Sequence, residues 1–351
     1  MNTPLTTPRI AITLGDPAGI GPETVVGAWQ DPRIHTFCRP LVVGHPELVA
    51  RAVRLLGGSA RVVAIKDPAE ARPTIDVIPC LTAVSDDVLD ITPGTIDARG
   101  GQAAFDALCT AAQLALDGRV DAITTGPLHK GALSLAGHKY PGHTELLAEL
   151  CGVKDFAMML YLGPDERVRG PAGLAIVHVT LHMALRDVFA ALDRRAVLEK
   201  TRLVARVMAE LKGCPPRVGV CALNPHAGEQ GLFGDEEQTI IAPAVADAVA
   251  SGIDATGPLP ADTLIGRACQ GEFDAVVAMY HDQGHIAIKL LAMHRAVNVT
   301  LGLPIVRTSV AHGTAFDLAW QGRAETSGMV EALRVASRLS NSPLRDSRTL
   351  R

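Results

Sequence analysis

Short apolar runs rich in β-branched residues alternate with longer amphipathic segments along most of the chain. Several runs are apolar throughout, which is typical of strands covered on both faces. We predict strands over residues 9–14, 40–43, 61–65, 74–78, 120–124, 156–161, 174–179, 217–222, 273–279 and 296–301, and helices over residues 21–30, 46–56, 102–116, 145–150, 185–211, 236–250 and 329–339. This alternation favours an α/β protein with a largely parallel or mixed sheet.

The longest helical pattern covers residues 185–211 and is rich in Arg, Ala and Leu. A surface helix of this length could dock a partner subunit, or it could cover its own sheet. The length of 351 residues suggests two domains, at ~150 residues each. Because no linker, repeat or low-complexity tract separates two halves of the chain, we expect the domains to interleave along it.

Composition narrows the class of protein. Apolar residues make up 48% and charged residues 20%, and the formal net charge is −4. Disordered chains have few apolar residues and a large net charge, so disorder is excluded. Only 3% of the residues are aromatic, so the core must consist mainly of Ala, Val, Leu and Ile. The sequence has neither a basic footprint for nucleic acid nor a polybasic membrane patch, and we expect neither partner.

The seven cysteines are odd in number, and none are spaced as Cys-x-x-Cys. This pattern indicates reduced thiols that are mostly buried as small apolar groups. The first residues do not resemble a signal peptide, and no window approaches ~18 uninterrupted apolar residues. We therefore expect a soluble, cytoplasmic protein.

Polar, glycine-containing segments follow several predicted strands, where α/β proteins collect functional residues. The first is GDPAGIGPE, from Gly15 to Glu23, and it permits a tight turn or a close approach of the backbone to a ligand. It lacks the G-x-G-x-x-G spacing, so a Rossmann assignment fails. The second is TTGPLHK, followed by GHKYPGHTE. Its His143 or Thr144 could cap the next helix, and a helix N-terminus also attracts anions.

Three more segments place a histidine just beyond a predicted strand, in HVTLH, LNPHAGEQG and MYHDQGH. His182, His226 and His281 could converge on one divalent metal that keeps an open position for substrate. Their spacing follows no local ligand rule, so a metal site and unrelated polar loops both remain open at this point. His178 lies on an apolar strand, and we interpret it as a core residue.

Eight ordered motifs resemble the 4-hydroxythreonine-4-phosphate dehydrogenase family of vitamin B6 biosynthesis, namely GDPAGIGPE, TGPLHK, GHTE, HVTLH, LNPHAGE, GPLPADT, YHDQGH and VNVTLGLPIVRTSVAHGTAFDLA. The resemblance implies a fold similar to isocitrate and isopropylmalate dehydrogenases, in which two α/β domains flank a cleft. It also implies homodimers whose active sites use both subunits. We expect residues 1–133 and 300–351 to form the first, discontinuous domain, and residues 134–299 to form the second, which carries the metal ligands and dimer contacts.

The resemblance also implies three sets of site residues, carried over position by position. The metal ligands of the family fall on His182, His226 and His281. Its substrate ligands fall on His143, Thr144, Lys289, Asn298 and Arg307. The loop that holds the adenosine of NAD in isopropylmalate dehydrogenases resembles the segment with His312, Gly313, Thr314 and Asp317.

The implied chemistry is oxidation of a secondary alcohol β to a carboxylate, followed by loss of carbon dioxide, with hydride passing to NAD or NADP. A divalent metal would assist both steps by polarising the oxygen, with zinc favoured and Mg, Co, Mn or Ni as alternatives. Asp262 and Asp282 are both candidates for the general base or for a residue that orients a histidine. Lys289 offers a charge for the substrate or a proton for the enolate, or it is an ordinary surface lysine.

The favoured substrate is 4-phosphohydroxy-L-threonine, which would yield 3-amino-2-oxopropyl phosphate. Two motifs, YPGHTE and HDQGHIAIK, look more like the catabolic branch of the family, which acts on D-threonate or D-erythronate 4-phosphate. Relatives with HVTLH and HDQGHI also include dehydrogenases of aromatic cis-dihydrodiols such as terephthalate dihydrodiol. A phosphate acyltransferase of related fold is the hypothesis from another class, and it would not need three histidines beyond strand ends.

Overall fold

The computed structural model describes residues 7–342, and the contacts divide the chain into two compact units. The first unit runs to Lys154 and resumes at Leu303–Asn341, whereas the second contains Asp155–Gly302. We expected residues 134–154 in the second domain, but the contacts group them with the first unit. The reason is that Leu146 and Leu147 are buried in a core cluster of the first unit.

In the first unit, the strands are β1 (Arg9–Thr13), β2 (Arg39–Gly44), β3 (Arg61–Ile65), β4 (Val77–Thr82), β5 (Ala122–Thr125) and, late in the chain, β12 (Val306–Val310). The helices are α1 (Gly21–Trp29), α2 (Ile34–Phe37), α3 (Pro46–Leu55), α4 (Ala98–Leu116), α5 (Lys130–Leu135), α6 (His143–Leu150) and α12 (Ser327–Ser340). The strand order is β3-β4-β2-β1-β5-β12, and every pair is parallel.

Core residues line both faces of this parallel sheet. Ile10 and Ile12 of β1 lie in one core cluster, together with Trp29 of α1 and with residues of α12. The intervening Ala11 lies in a second cluster, together with Leu108 of α4. Successive strand side chains point to opposite faces, so a strand buried on both sides must be apolar at every position. The prediction of strands covered on both faces is confirmed for β1.

In the second unit, the strands are β6 (Ala157–Leu162), β7 (Leu174–His178), β8 (Arg217–Cys221), β9 (Asp254–Leu259), β10 (Ala275–Ala278) and β11 (Val297–Leu301). The helices are α7 (Leu185–Ala191), α8 (Arg194–Lys212), α9 (Ala242–Ala250), α10 (Ala261–Cys269) and α11 (His281–Ala292). The strand order is β11-β6-β7-β10-β8-β9. Strands β7, β10, β8 and β9 are mutually parallel, and β6 runs antiparallel to both of its neighbours.

The structure differs from the sequence pattern at several elements. The helix predicted over residues 185–211 is two helices, because Asp193 caps α8 by accepting a hydrogen bond from the Ala196 N–H (2.7 Å). The pattern does not indicate β12, since Arg307, Thr308 and Ser309 are polar residues that are nevertheless buried. It also misses β9, α2, α5, α10 and α11, and β4 lies a few residues later than expected.

Two further features concern the cysteines and the helices. All seven cysteines are free thiols, and four of them are buried. Across the described residues, no helix combines the length and apolar character that crossing a membrane requires.

Candidate active site

Three loops of the first unit meet beyond the carboxyl ends of the adjacent strands β1, β5 and β12. The loop after β1 is joined to its neighbours by hydrogen bonds from the Asp16 N–H to the Pro127 carbonyl (2.9 Å) and from the Ile20 N–H to the Thr314 carbonyl (3.0 Å). Gly15 has a φ of 72°, and a Cβ there would lie 2.1 Å from the Pro127 oxygen, so this approach requires glycine. The motif GDPAGIGPE therefore packs these loops together at the edge where open α/β sheets bind ligands.

Arg307 is a buried cation at this edge of the sheet. The residue is 1% exposed, and its Nη2 donates a hydrogen bond to Thr125 Oγ1 on the neighbouring strand (2.7 Å). Burial lowers the pKa of the guanidinium to about 9, although the negative charge of Glu145 opposes the shift. The planar fork of donors on an arginine suits a phosphate or a carboxylate, so the position is suited to an anionic ligand group.

His143 and Thr144 lie in the first turn of α6, and His143 is close to Arg307. Burial and the positive charge of Arg307 hold the pKa of His143 well below its usual value, and a hydrogen bond with the Gly126 backbone offsets this only in part. The imidazole is therefore neutral near physiological pH. The N-cap of α6 is Gly142, without a side-chain cap, so the expectation that His143 or Thr144 caps this helix is wrong.

The loop after β12 carries the four predicted cofactor residues, His312, Gly313, Thr314 and Asp317. It is anchored by Glu23 at the end of the GDPAGIGPE motif. Glu23 is fully buried, and its carboxylate accepts hydrogen bonds from the backbone N–H groups of Trp320 (2.5 Å) and Gly322 (2.7 Å). The Trp320 indole N–H also donates to the Pro17 carbonyl (2.8 Å). The glycine-rich motif thus fixes the position of the predicted cofactor loop.

In the second unit, the loops with the three predicted metal ligands follow β7, β10 and β8, which are adjacent and parallel. The rings of His182 and His281 lie 5.8 Å apart between centroids. The ring of His226 lies 6.5 Å from that of Phe233. Within residues 7–342, no three His, Cys, Asp or Glu side chains are already grouped as metal ligands. The structure therefore brings two of the three predicted ligands near each other.

Hydrogen bonds tie the three histidine loops to one another. Thr180 Oγ1, in HVTLH, donates to the Met279 carbonyl at the end of β10 (2.8 Å). Gln283, in YHDQGH, accepts a hydrogen bond from the Met279 N–H (2.7 Å) and donates one to the Ala222 carbonyl at the end of β8 (2.8 Å). A single amide side chain therefore links the loop of His281 to the loop of His226.

The orientation of His281 fits a metal ligand. Its Nδ1 lies 2.6 Å from Asp282 Oδ1, so Nδ1 donates a hydrogen bond to the carboxylate. The other ring nitrogen, Nε2, then carries the lone pair that a metal ligand needs. Histidines that bind metals generally show this pairing with a carboxylate or carbonyl, which fixes the tautomer. Three imidazoles with an open fourth position suit zinc and several other divalent cations. The residues present thus fit a divalent metal in their chemistry.

His178 and His285 form a buried pair beside His281. His285 Nδ1 lies 3.1 Å from His178 Nε2, and the ring of His285 stacks on that of His281 with 3.7 Å between centroids. Burial, reinforced by neighbouring histidines, lowers the pKa of His178 to about 3 and that of His285 to about 4. Both rings are therefore neutral, and the expectation that His178 is a core residue is confirmed.

The remaining predicted site residues have different environments. Lys289 lies on α11 and is exposed, and its charge contributes to lowering the pKa of both Asp282 and His285. Asp262 is exposed in the first turn of α10. Asn298 lies on β11, and its Oδ1 is buried with no hydrogen-bond partner in the part of the chain that the structure describes. An unpartnered buried acceptor of this kind is suited to a ligand donor.

Sequence reasoning missed three polar residues that organise these loops, namely Glu23, Gln283 and Glu237. Glu23 and Gln283 stand inside recognised motifs, but the patterns assign them no role. Glu237 stands outside every motif singled out above. It is 3% exposed, and a buried carboxylate must have partners, yet its partners cannot be identified from the sequence pattern.

Comparison with known proteins shows which family the chain belongs to. Residues 36–336 match the family model described as pyridoxal phosphate biosynthetic protein PdxA. The chain belongs to this family, and the resemblance inferred from the motifs is confirmed.

Individual relatives are similar over nearly the whole chain. The 4-hydroxythreonine-4-phosphate dehydrogenase of Geobacter metallireducens is 47% identical, over 96% of this chain and 97% of that protein. The D-threonate 4-phosphate dehydrogenase of Cupriavidus necator is 44% identical, over 95% and 97% respectively. The crystal structure of 4-hydroxythreonine-4-phosphate dehydrogenase from Klebsiella pneumoniae matches with a TM-score of 0.83 at 42% identity, covering 95% of this chain and 99% of that one. The protein is a dehydrogenase, and this chemistry implies a nicotinamide cofactor.

A more distant similarity concerns the fold alone. A β-decarboxylating dehydrogenase from Thermococcus kodakarensis is 15% identical, with a TM-score of 0.53 over 97% of this chain and 86% of that one. The predicted fold class, similar to isocitrate and isopropylmalate dehydrogenases, is confirmed. Since the family comprises dehydrogenases, the phosphate acyltransferase hypothesis is not supported.

Proposed function

We propose that the protein oxidises a phosphorylated four-carbon 3-hydroxy acid and then releases its carboxylate as carbon dioxide, with NAD or NADP as hydride acceptor. The favoured substrate is 4-phosphohydroxy-L-threonine, which the reaction converts into 3-amino-2-oxopropyl phosphate. The observation that carries this proposal is the buried Arg307 beside His143 and Thr125. The names of the relatives described above, each of which specifies a 4-phosphate, support it.

The residues around Arg307 have complementary roles toward an anionic substrate group. Arg307 supplies the positive charge and a fork of donors for phosphate oxygens. The first turn of α6 adds the partial positive charge of a helix N-terminus. His143 is neutral, so it can hydrogen-bond the substrate without adding a charge that Arg307 would repel. Thr144 follows it in the same turn and is buried.

We further propose that His182, His226 and His281 hold one divalent cation, with zinc favoured. A cation held there would supply a Lewis acid for both the oxidation and the decarboxylation. Asp282 orients His281 through the 2.6 Å contact with Nδ1. Asp282 therefore has a defined role beside a proposed ligand, whereas Asp262 is an exposed residue of α10.

Lys289 and the loop after β12 complete the proposed machinery. Lys289 places a positive charge near Asp282 on the same helix, and we assign it a carboxylate or phosphate contact or delivery of a proton to the enolate. The loop with His312, Gly313, Thr314 and Asp317 is assigned to the adenosine part of NAD or NADP. Glu23, which anchors this loop, would hold it in place before the cofactor binds.

The protein is proposed to be a homodimer whose active sites use residues of both subunits. Large apolar side chains are exposed in the segments that follow the predicted metal ligands along the chain. Along α11 and its C-cap these are Ile286, Leu290 and Met293, which recur at intervals of three to four and so share one face. Others are Met183, Leu185 and Phe189 after His182, and Leu232 and Phe233 after His226. Exposed apolar surface of this extent is typical of protein interfaces and supports a second copy as its occupant.

A substrate screen tests the proposed function. The purified protein is incubated with NAD or NADP, a divalent cation and one of four substrates, and the absorbance of reduced cofactor is followed. The substrates are 4-phosphohydroxy-L-threonine, D-threonate 4-phosphate, D-erythronate 4-phosphate and a terephthalate cis-dihydrodiol. We expect the highest kcat/KM for the first compound. The second candidate function is D-threonate 4-phosphate oxidation, favoured by the HDQGHIAIK motif and by the relative from Cupriavidus necator. Preference for the dihydrodiol would contradict both.

A further inference from the structure

We propose that Glu237 is a positioning residue that holds His226 in its metal-ligating pose, an inference that rests on the proposed metal site. Glu237 follows the LNPHAGE motif by several residues and begins a short π-helical turn, Glu237–Ile241. It is 3% exposed, although carboxylates are rarely buried without a specific reason.

The carboxylate of Glu237 is hydrogen-bonded to the two residues of the chain that lie shortly before His226. Its Oε1 accepts hydrogen bonds from the backbone N–H groups of Leu223 (2.8 Å) and Asn224 (2.7 Å). Its Oε2 accepts another from Asn224 Nδ2 (3.0 Å). Three donors thus converge on one carboxylate, and two of them belong to the backbone. Charge-assisted bonds of this kind are among the stronger hydrogen bonds in proteins.

The same carboxylate lies under the turn that carries His226. A Cβ added to Gly228 would lie 2.6 Å from Glu237 Oε2, so the turn passes directly over the carboxylate. Glu237 therefore contacts the chain at Leu223 and Asn224 before His226, and it lies next to Gly228 after it.

The turn itself needs such support, because its backbone is strained. Residues 226–230 all have positive φ values, between 43° and 75°, and only one of the five is glycine. Side chains other than glycine adopt this left-handed region singly and at an energetic cost. A run of such residues persists only where surrounding contacts hold it, and backbone strain of this kind concentrates at functional sites. Without Glu237, we expect the turn to relax and His226 to move.

The neighbouring Glu236 provides a matched control. It is also a glutamate, and its Oε2 accepts a hydrogen bond from the same Asn224 Nδ2 (2.6 Å). The backbone N–H groups of Leu223 and Asn224, however, donate to Glu237. Removing the Glu236 side chain therefore leaves both hydrogen bonds between Glu237 and the backbone intact.

The first experiment observes His226 directly in the metal-free protein. The histidine Cε1–H resonances are recorded by ¹H–¹³C correlation NMR, and that of His226 is assigned from its loss in H226A. We expect E237A to shift or broaden the His226 resonance and to leave those of His178 and His285 unchanged. We expect E236A to leave all of them unchanged. An unmoved His226 resonance in folded E237A would overturn the inference, whatever the metal does.

The second experiment measures the zinc dissociation constant by competition with a chromophoric chelator. Removing a residue that orients a metal ligand typically weakens binding by ~10- to 100-fold. We expect E237A to show a loss in this range and E236A to stay within about threefold of the wild type, on the same scale. E237A combined with H226A should bind no more weakly than H226A alone, because a residue that acts through His226 has no effect once His226 is absent.

The outcomes separate the two proposals. If H226A binds zinc as tightly as the wild type, the proposed metal site is wrong. If H226A weakens binding but E237A does not, or if the two losses multiply in the double variant, the metal site stands and the positioning role of Glu237 is wrong. Should E237A fail to fold, E237M replaces it, since methionine keeps the length of the side chain but offers no carboxylate oxygen to the backbone N–H groups of Leu223 and Asn224. A wild-type His226 resonance together with wild-type zinc affinity in folded E237M would then overturn the inference.

Discussion

Arg307 and Thr125 lie on neighbouring parallel strands, and Nη2 of the arginine donates to Oγ1 of the threonine over 2.7 Å. The contact joins residues that are 182 positions apart in the chain. It fixes one donor of a buried guanidinium to the sheet at the edge where three loops converge.

Arg307→Ala should lower kcat/KM for a phosphorylated substrate and leave the bound metal in place. A hydrogen bond to a charged group contributes about 1.5–3 kcal/mol, which corresponds to ~10- to 150-fold in binding. Removing the phosphate from the substrate should cost the wild type a similar factor and the variant far less. Thr125→Val, which removes the contact but keeps the charge, is the matched control and should have a smaller effect. If the variant rejects the unphosphorylated compound as strongly as the wild type does, Arg307 is not the phosphate ligand.

Single substitutions of His182, His226 and His281 by alanine should each reduce the metal content of the purified protein. Each removes one of three proposed imidazole ligands, for which a metal–nitrogen distance of roughly 2.0–2.2 Å is expected with zinc. Elemental analysis after dialysis measures the effect. His285→Leu is the control, since His285 contacts His281 but is not a proposed ligand, and it should retain metal. Unchanged metal content in all three alanine variants would rule out the site.

Asp16→Asn should stabilise the protein at neutral pH but not in acid. Burial raises the pKa of this carboxyl to about 6, although the hydrogen bond from the Ala18 N–H opposes the shift. Between the unfolded value of 3.8 and about 6, the folded state therefore holds a proton that the unfolded state has lost. Above pH ~6 the Asp16 carboxylate is ionised and buried, which destabilises the folded state. At these pH values the neutral amide of asparagine should add roughly 2–3 kcal/mol to the free energy of unfolding.

Urea unfolding at pH 7.5 and pH 4.0 measures this difference. The gain of Asp16→Asn should be full at the higher pH and should shrink toward zero at the lower. Asp90→Asn, at an exposed position, should change little at either pH. An equal gain at both pH values would mean that the charge of Asp16 is not the cause.

Leu290→Glu should weaken or abolish the proposed dimer and lower activity with it. Leu290 is 78% exposed on α11, and a charge placed in an apolar interface has no partner to compensate its lost hydration. Sedimentation velocity measures the oligomeric state. Leu116→Glu, at an exposed apolar position of α4 in the other unit, should leave it unchanged. A fully active wild-type monomer would defeat the shared site.

A mixing experiment tests sharing itself. Inactive variants at His182 and at Arg307 should regain some activity when they are refolded together, if the two residues serve one site from different chains. Recovery should be absent when either variant is refolded alone. No recovery from a mixture that contains mixed dimers would contradict this arrangement.

Much of the fold was predictable because its causes are local. β1 is apolar at Ile10, Ala11 and Ile12 because helices cover both of its faces, and that requirement is visible in any few consecutive residues. β12 was not predictable in the same way. Its polar residues Arg307, Thr308 and Ser309 are typical of a loop. Arg307 and Thr308 can nevertheless lie inside the sheet because their side chains form hydrogen bonds with Thr125 and Thr124 on β5.

The sequence by itself determined the alternating architecture and the family, and it predicted candidate site residues, because apolar periodicity and short motifs are properties of neighbouring positions. Only the tertiary structure decided how those residues are held. Glu237 meets Leu223, and Gln283 meets Ala222, across gaps of 14 and 61 residues. Such contacts depend on which strands lie side by side, and that order is set by packing of the whole unit. The sequence shows only that a residue is Glu or Gln. It does not show whether that side chain is exposed to solvent or buried beneath a strained turn.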